Sequence, residues 1–297
     1  AYTTSIDHVT NLHPEWTITI GDFKFLNPGL SEVRDYVNKI VADVVTRYDV
    51  DGVHFDDYFY PYPPNQITTQ DQQTFSEFPR GFTNIGDWRR DNVNELLRMI
   101  SDTLKTIKPH VKFGMSPFGI YRPENPPGIS GLDAYNTIYC DALAWIEDKS
   151  IDYLSPQLYW PFSGGQDYGK LLPWWASKVD DRHLYPGQAL YRAGSWPIGE
   201  VPRQIRLNRA TTNTYGNIFF RAQNLFANPN GTTDSLTENY YKNKALLPQM
   251  GWKDNVTPNN PTNLRYAPLA NIRGNAIMWD VPAPASDGDT ASLYVVY

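Results

Sequence analysis

The most informative segment of the sequence is Val50-Asp51-Gly52-Val53-His54-Phe55-Asp56-Asp57-Tyr58-Phe59-Tyr60-Pro61. It predicts a buried β-strand that runs into two carboxylates and then into a cluster of aromatic side chains. Because side chains alternate along a strand, Val53 and Phe55 share one face, and His54 and Asp56 share the other. In a parallel barrel the outward face packs on helices, and the carboxyl ends of the strands carry the site. We therefore expect Asp56 to point into a site, and Asp57 to lie where the strand becomes a loop.

Four further apolar stretches predict strands that alternate with helices. The strands are expected at residues 111–117, 151–160, 183–191 and 217–220, and the helices at residues 87–100, 134–147, 168–179 and 201–209. A repeat of about 30 residues is typical of parallel βα units. This alternation predicts an α/β fold, a (β/α)8 TIM-type barrel. Five strands rather than eight are visible, so we expect the first three to be absent from this chain or supplied by a companion fragment.

The end of the chain has a different character. Residues 253–261 are rich in Asn and Pro, which is typical of a linker. The three strand-like stretches within residues 262–297 resemble the start of a fibronectin type III domain, with Trp279 as the core tryptophan. The predicted domains are thus a partial barrel over residues 1–252, the linker, and a partial β-sandwich over residues 262–297.

Composition excludes several classes of protein. The chain has 297 residues and a formal net charge of −6, without clusters of Lys and Arg, which argues against nucleic-acid binding. The single cysteine, Cys140, rules out an intrachain disulfide and is expected to be buried.

No apolar run is long enough for a transmembrane helix. The five histidines are scattered and no phosphate-binding loop is present, so we predict neither a metal nor a cofactor. The 9 Trp and 20 Tyr fit either a well-packed core or a polysaccharide groove.

Six ordered segments resemble the bacterial glycosyl-hydrolase-like family 10, formerly a domain of unknown function. They are Phe25-Leu26-Asn27-Pro28-Gly29 with Glu32-Val33-Arg34, the stretch from Asp51 to Pro61, Asp87-Trp88-Arg89-Arg90 with Asn92-Val93-Asn94, Phe113-Gly114-Met115-Ser116-Pro117-Phe118-Gly119, Asp152-Tyr153-Leu154-Ser155-Pro156-Gln157-Leu158-Tyr159-Trp160, and Leu184-Tyr185-Pro186-Gly187-Gln188. The resemblance implies a secreted or lipid-anchored bacterial envelope enzyme, periplasmic or on the cell surface, that cleaves peptidoglycan glycan strands.

Two carboxylates are the candidate catalytic residues. Asp56 occupies the place of the nucleophile in the similar fourth strand of α-amylase-type barrels, although a structural hydrogen-bond network could also use it. In the similar chitinase strand the acid lies two residues further on, where this chain has Tyr58. Asp57 could be the second carboxylate that a glycosidase needs, but adjacent strand residues point oppositely, so the strand must break there. Otherwise Asp57 caps a loop, and the second acid lies outside this chain.

Nine further residues are candidates for binding a sugar. They are His54, Tyr58, Tyr60, Ser116, Arg122, Gln157, Tyr159, Trp160 and Gln188. Gln157 and Tyr159 share a strand face, where an amide and a phenol can hydrogen-bond sugar hydroxyls, while Trp160 can stack on a ring. Arg122 could bind an acidic substituent or form a surface ion pair, and His54 could orient Asp56 or simply pack.

The sequence therefore predicts a glycoside hydrolase that uses carboxylate acid/base chemistry on a polysaccharide. The alternative is a carbohydrate-binding protein that keeps the groove without the chemistry. A second buried carboxylate near Asp56 would favour catalysis.

Overall fold

The computed structural model describes residues 5–57, 59–268, 275–291 and 293–294. Compact units form over residues 1–248 and 249–297, and each is treated separately below. The strands are β1 (Thr17–Ile20), β2 (Phe23–Leu26), β3 (Gly52–Phe55), β4 (Lys112–Met115), β5 (Tyr153–Leu154), β6 (His183–Leu184), β7 (Gly187–Ala189), β8 (Ile218–Phe220), β9 (Thr262–Pro268) and β10 (Asn275–Asp280). The helices are α1 (Val9–Leu12), α2 (Ser31–Arg47), α3 (Gln72–Glu77), α4 (Ile85–Ile107), α5 (Ala134–Thr137), α6 (Ala142–Glu147), α7 (Tyr168–Ala176), α8 (Glu200–Ala210), α9 (Ala222–Ala227) and α10 (Thr232–Ser235).

A parallel sheet forms the centre of the first unit. Strands β3, β4, β5 and β6 pair in that order, and β7 pairs with β8. Parallel bridges from Gln157 to Phe118 and to Gly187 continue the pairing beyond the short strands. The predicted strand stretches thus lie side by side in chain order. This confirms the mixed α/β architecture with a parallel sheet, while closure into a barrel stays a prediction.

Helices pack on this sheet, and their apolar sides share one core with its buried residues. Asn84 caps the start of helix α4, and its side chain accepts hydrogen bonds from the backbone N–H groups of Gly86 and Asp87 at 2.8 and 3.2 Å. It packs on α2 and buries Val93, Leu97 and Ile100. The core continues through the fully buried side chains of Phe113, Trp145 and Trp175.

Two parts of the first unit differ from the predicted pattern. Residues 5–51 hold an antiparallel β1–β2 hairpin and the long helix α2, neither of which was predicted. The helix predicted at residues 134–147 is broken into α5 and α6, since Tyr139 has a φ of 54° and Asp141 caps the second segment. Cys140 lies at this break and is buried, as expected.

The second unit contains one antiparallel pair, β9 with β10. Trp279 lies in β10, and its ring centroid is 5.0 Å from that of Tyr294. Of the third predicted strand, the described residues 291, 293 and 294 are not in a strand, and the remainder lies outside the described residues. The fibronectin-like assignment therefore stays a prediction. Within the described ranges, no helix combines the length and the apolar character that crossing a membrane requires.

Candidate active site

The predicted carboxylates lie at the carboxyl end of β3. The strand ends at Phe55, so Asp56 and Asp57 are outside the regular alternation. Asp56 is exposed, and its Oδ1 accepts hydrogen bonds from the Gln157 Nε2 at 2.8 Å and from the Asp57 backbone N–H at 3.0 Å. The Gln157 amide therefore reaches across the sheet to the first carboxylate, which brings together two residues 101 positions apart.

Asp57 is half-buried and has a different environment. Its Oδ2 accepts a hydrogen bond of 2.6 Å from the Tyr62 hydroxyl. Burial raises the pKa of Asp57, and the negative charge of Asp56 and a hydrogen-bonding contact with it raise that pKa further, against the lowering effect of Tyr62. The break after β3 thus allows the adjacent carboxylates to interact, which was the condition for a catalytic role of Asp57.

A row of rings crosses the strands β3, β5 and β6, next to the carboxylates. His54 stacks on Tyr153 with a ring separation of 5.8 Å, and its Nδ1 is 3.0 Å from the Tyr153 hydroxyl. Tyr153 in turn meets Tyr185 edge to face at 5.5 Å, and the Tyr185 hydroxyl is 2.9 Å from His183 Nδ1. Desolvation lowers the pKa of His54, although the negative charge of Asp56 acts the other way. His54 is therefore held in place beneath Asp56.

The residues after β5 line the same end of the sheet. Tyr159 is partly buried, and its burial together with the charges of Asp56 and Asp57 raises its pKa. Its ring is 6.0 Å from that of Tyr191 and 5.9 Å from that of Phe220. Trp160, also partly buried, meets Phe118 edge to face at 5.5 Å. Gln157, Tyr159 and Trp160 are thus gathered with the carboxylates at one end of the sheet.

Several other predicted ligands have contacts within the protein. Ser116 is buried and donates to the Ser155 carbonyl at 2.9 Å. Gln188 is completely buried and donates to the Gln204 side chain at 3.0 Å. Tyr60 is buried against Asn92, whose amide nitrogen is 3.2 Å from its hydroxyl. These contacts favour structural roles over substrate contact. Tyr58 lies outside the described residues.

Arg122 is exposed at the edge of the loop that follows β4. Its Nε is 4.0 Å from Asp133, and its guanidinium lies 4.9 Å from the ring of Tyr135. It therefore has an acidic neighbour of its own, in keeping with the surface ion pair that was the alternative to ligand binding.

Tyr62 was not among the predicted site residues, although it contacts Asp57 directly. The signal was its place five residues after the carboxylate, within the aromatic run that follows β3. A cavity of about 380 Å³ adjoins it. The cavity is lined by Phe23, Lys24, Phe25, Phe59, Tyr60, Pro61, Tyr62, Pro63 and Asn65. The unpredicted β1–β2 hairpin supplies one wall of this cavity.

One group of carboxylates in the second unit has the spacing that binding a cation requires. The oxygen atoms of Asp254, Asp287 and Asp289 lie within 4.8 Å of one another, and all three residues are exposed. Such oxygen donors suit Ca²⁺ or Mg²⁺, but exposed acidic groups also cluster without an ion. This group belongs to the second unit, whereas Asp56 and Asp57 belong to the first.

The family profile and the sequence relatives that match this chain all carry glycosyl hydrolase names. The chain matches the sequence profile described as Glycosyl hydrolase-like 10 over residues 4–200. It is 39% identical over 309 residues to the glycosyl hydrolase YngK of Bacillus subtilis (strain 168), covering 99% of this chain and 60% of that protein. It is 40% identical over 227 residues to the glycosyl hydrolase DigH of Escherichia coli (strain K12), covering 70% of this chain and 52% of that protein. The chain thus spans between half and two thirds of the length of these relatives.

Among solved structures, bee venom hyaluronidase in complex with a hyaluronic acid tetramer has a TM-score of 0.30 and 14% identity, and the match covers 78% of this chain and 71% of that one. This likeness is too low to support an argument. The family match, in contrast, spans residues 4–200, which is more than half of the chain. On the extent of that match, the chain is a member of the glycosyl hydrolase-like 10 family.

Proposed function

We propose that this protein is a glycoside hydrolase whose acid/base chemistry is carried by Asp56 and Asp57. The observation that carries the proposal is the second carboxylate: Asp57 is half-buried, next to Asp56, and has a raised pKa. Two carboxylates with different environments are the general requirement for hydrolysing a glycosidic bond.

Asp57 is the proton donor in this proposal. A raised pKa keeps a larger fraction of the carboxyl group protonated, as a general acid requires. Because Tyr62 donates to Oδ2, the proton of Asp57 is expected on Oδ1. Transfer of that proton to the glycosidic oxygen would let the C–O bond break while the leaving sugar departs as an alcohol.

Asp56 is the negatively charged partner. In this proposal it attacks the anomeric carbon, which corresponds to retention, because Asp56 contacts Asp57 and inversion would need room for a water between the two carboxyl groups. The Gln157 amide and the Asp57 backbone N–H both donate to Oδ1, so they orient the carboxylate and leave Oδ2 for the reaction. Gln157 is therefore a positioning residue as well as a candidate sugar ligand.

The substrate is a polysaccharide, and our specific proposal is the glycan strand of peptidoglycan in the bacterial envelope. The support for this choice is the family resemblance together with the aromatic side chains beside the carboxylates. Tyr159 and Trp160 offer ring faces and polar edges of the type that bind sugars.

Replacing each carboxylate by its amide tests the catalytic proposal. We expect Asp56→Asn and Asp57→Asn each to lower the rate of reducing-end release from purified glycan strands by about 100-fold or more, since both remove a proton-transfer or nucleophilic group. Asp51→Asn is the matched control, because Asp51 is exposed and lies just before β3, at the opposite end of the same strand. Mass spectrometry of the products would identify the bond that is cleaved.

The outcomes separate the two candidate functions. Wild-type rates in both amide variants would contradict the catalytic proposal. Saturable binding of glycan strands without cleavage by the wild-type protein would instead support the carbohydrate-binding alternative.

A further inference from the structure

We infer that Tyr191, Phe220 and Arg192 form a subsite for a carboxylated sugar beside the catalytic carboxylates. The inference rests on the proposed function, because it names the chemical class of sugar that the site would take. None of these residues was singled out in the sequence.

The first step is the geometry of the rings. Tyr159, Tyr191 and Phe220 form a three-membered cluster in which the Tyr191 and Phe220 centroids are 5.9 Å apart and nearly perpendicular. Tyr191 is the second residue after β7, and Phe220 is the last residue of β8. Both therefore lie at the carboxyl end of the sheet, the same end as Asp56.

The second step is exposure. Tyr191 and Phe220 contact one another, yet their side chains are 45% and 46% exposed. Tyr159, which is more buried, joins them to the carboxylates, since the charges of Asp56 and Asp57 both act on its hydroxyl. The cluster thus presents accessible ring faces next to the proposed reaction centre, and the apolar C–H face of a pyranose stacks on such rings.

The third step is the cation at the edge of the cluster. Arg192 is exposed, its guanidinium carbon lies 5.9 Å from the Tyr191 ring, and its Nη1 donates to the Tyr159 carbonyl at 3.3 Å. Within the residues that the structure describes, no carboxylate lies in ion-pair distance of Arg192. Arg122, in contrast, has Asp133 at 4.0 Å. Arg192 therefore has donor groups available for a ligand.

The charge of the surroundings determines what such a ligand would be. The chain carries a net charge of −6, and the reaction centre holds two carboxylates, so an anionic sugar would be repelled without a local cation. A planar guanidinium binds a carboxylate through paired N–H groups. The ligand class is thus a sugar with a carboxylate, either as a lactyl ether on the ring or as a uronic acid.

Equilibrium binding tests this subsite without requiring turnover. The probes are the disaccharide of N-acetylglucosamine and N-acetylmuramic acid, the methyl ester of that disaccharide, and a disaccharide that contains glucuronic acid. By titration calorimetry, we expect the wild-type protein to bind the free acid about tenfold more tightly than the ester, since hydrogen bonds to charged groups are the stronger ones. The relative affinity of the glucuronic acid probe identifies which of the two carboxylate positions is recognised.

Variants assign the effect to individual residues. Arg192→Gln should abolish the preference for the acid and leave the ester affinity within about twofold, and Arg192→Lys should retain part of the preference. Tyr191→Ala should weaken the acid and the ester equally. Arg47→Gln is the matched control for charge, because Arg47 is exposed on α2 and is paired with Asp43.

Three results would overturn the inference: equal affinity of the wild-type protein for acid and ester, a preference that persists in Arg192→Gln, or no binding of any probe at millimolar concentration. Hydrolysis is scored separately. If Arg192 controls acid binding while the Asp56 and Asp57 variants keep wild-type hydrolysis, the catalytic assignment fails and the subsite stands. If those variants lose hydrolysis but acid and ester bind alike, the catalytic assignment stands and the subsite fails.

Discussion

Asp71 and Asp57 are both carboxylates withdrawn from water, yet the molecule treats them in opposite ways. Asp71 has no exposed surface and receives two hydrogen bonds from Arg89, at 2.8 Å from Nε and 2.5 Å from Nη2. The same guanidinium donates to the Tyr139 hydroxyl at 2.6 Å. Asp57 receives a tyrosine hydroxyl and has a second carboxylate beside it, with no arginine or lysine in ion-pair distance among the described residues.

The presence or absence of a cationic partner distinguishes a structural carboxylate from one that could take part in a reaction. A buried charge is stable only when a partner neutralises it, and Arg89 does this for Asp71. A carboxylate left without such a partner has a perturbed pKa, which is a property of functional sites. Whether an arginine or lysine among the described residues pairs with a buried carboxylate therefore indicates its role better than its burial alone.

The largest effect is expected from removing the neutralising cation. Arg89→Met should lower the free energy of unfolding by about 3–5 kcal/mol, because it leaves Asp71 charged and buried without a partner. Chemical denaturation followed by tryptophan fluorescence would measure the change.

The matched control lies on the same helix. Arg98 in α4 contacts Asp91, Glu95 and Asp148, but these groups are partly exposed. Arg98→Met should cost only about 1 kcal/mol. Equal costs for the two substitutions would remove the distinction between the buried pair and an ordinary surface network.

A smaller effect of opposite sign is expected at Asp57. The pKa of this carboxyl is raised above its ordinary value of 3.8 in the folded protein. As pH rises from 3.8 through the folded pKa, the unfolded chain releases this proton first, so the folded state loses stability. Asp57→Asn should therefore raise the melting temperature at neutral pH, and the difference from wild type should disappear in acid. Asp51→Asn serves as the control, and a neutral-pH melting temperature for Asp57→Asn below that of wild type would contradict the interpretation.

The finest test concerns the hydroxyl of Tyr62. Its hydrogen bond lowers the pKa of Asp57, so Tyr62→Phe should raise that pKa. If Asp57 is the acid, the alkaline limb of the kcat profile should move to higher pH, with a stability cost of about 1 kcal/mol for the lost hydrogen bond. Tyr121→Phe is the control, because the Tyr121 hydroxyl donates to a different carboxylate, Asp141, at 3.0 Å. An unchanged pH profile in Tyr62→Phe would argue against Asp57 as the proton donor.

Local patterns predicted the parallel sheet well. Runs such as the one ending at Phe55 combine apolar alternation with a following loop, and both features depend on neighbours in the chain. Helix α2 was not predicted, although Val33, Val37, Val41 and Val45 repeat every four residues along it. The break between α5 and α6 was not predicted, since it depends on a left-handed backbone at Tyr139.

The site was predictable only in part, for a related reason. Asp56, Gln157 and Tyr159 follow strands, so the rule for carboxyl ends placed them together. Gln188 donates to Gln204, and Ser116 donates to the Ser155 carbonyl. Both contacts depend on the tertiary structure, so a local sequence pattern could not predict them. Arg192 and Phe220 were missed because their neighbours come from different strands.

The absence of a side chain at Gly114 makes room for the row of rings beneath the carboxylates. A Cβ at this position would lie 2.0 Å from the Tyr153 ring, so the ring occupies the space that any other residue would need. Gly114 pairs in register with both His54 and Tyr153. A single added methyl group would therefore displace the Tyr153 ring, on which His54 stacks, so that a substitution at Gly114 would rearrange the row of rings beneath Asp56.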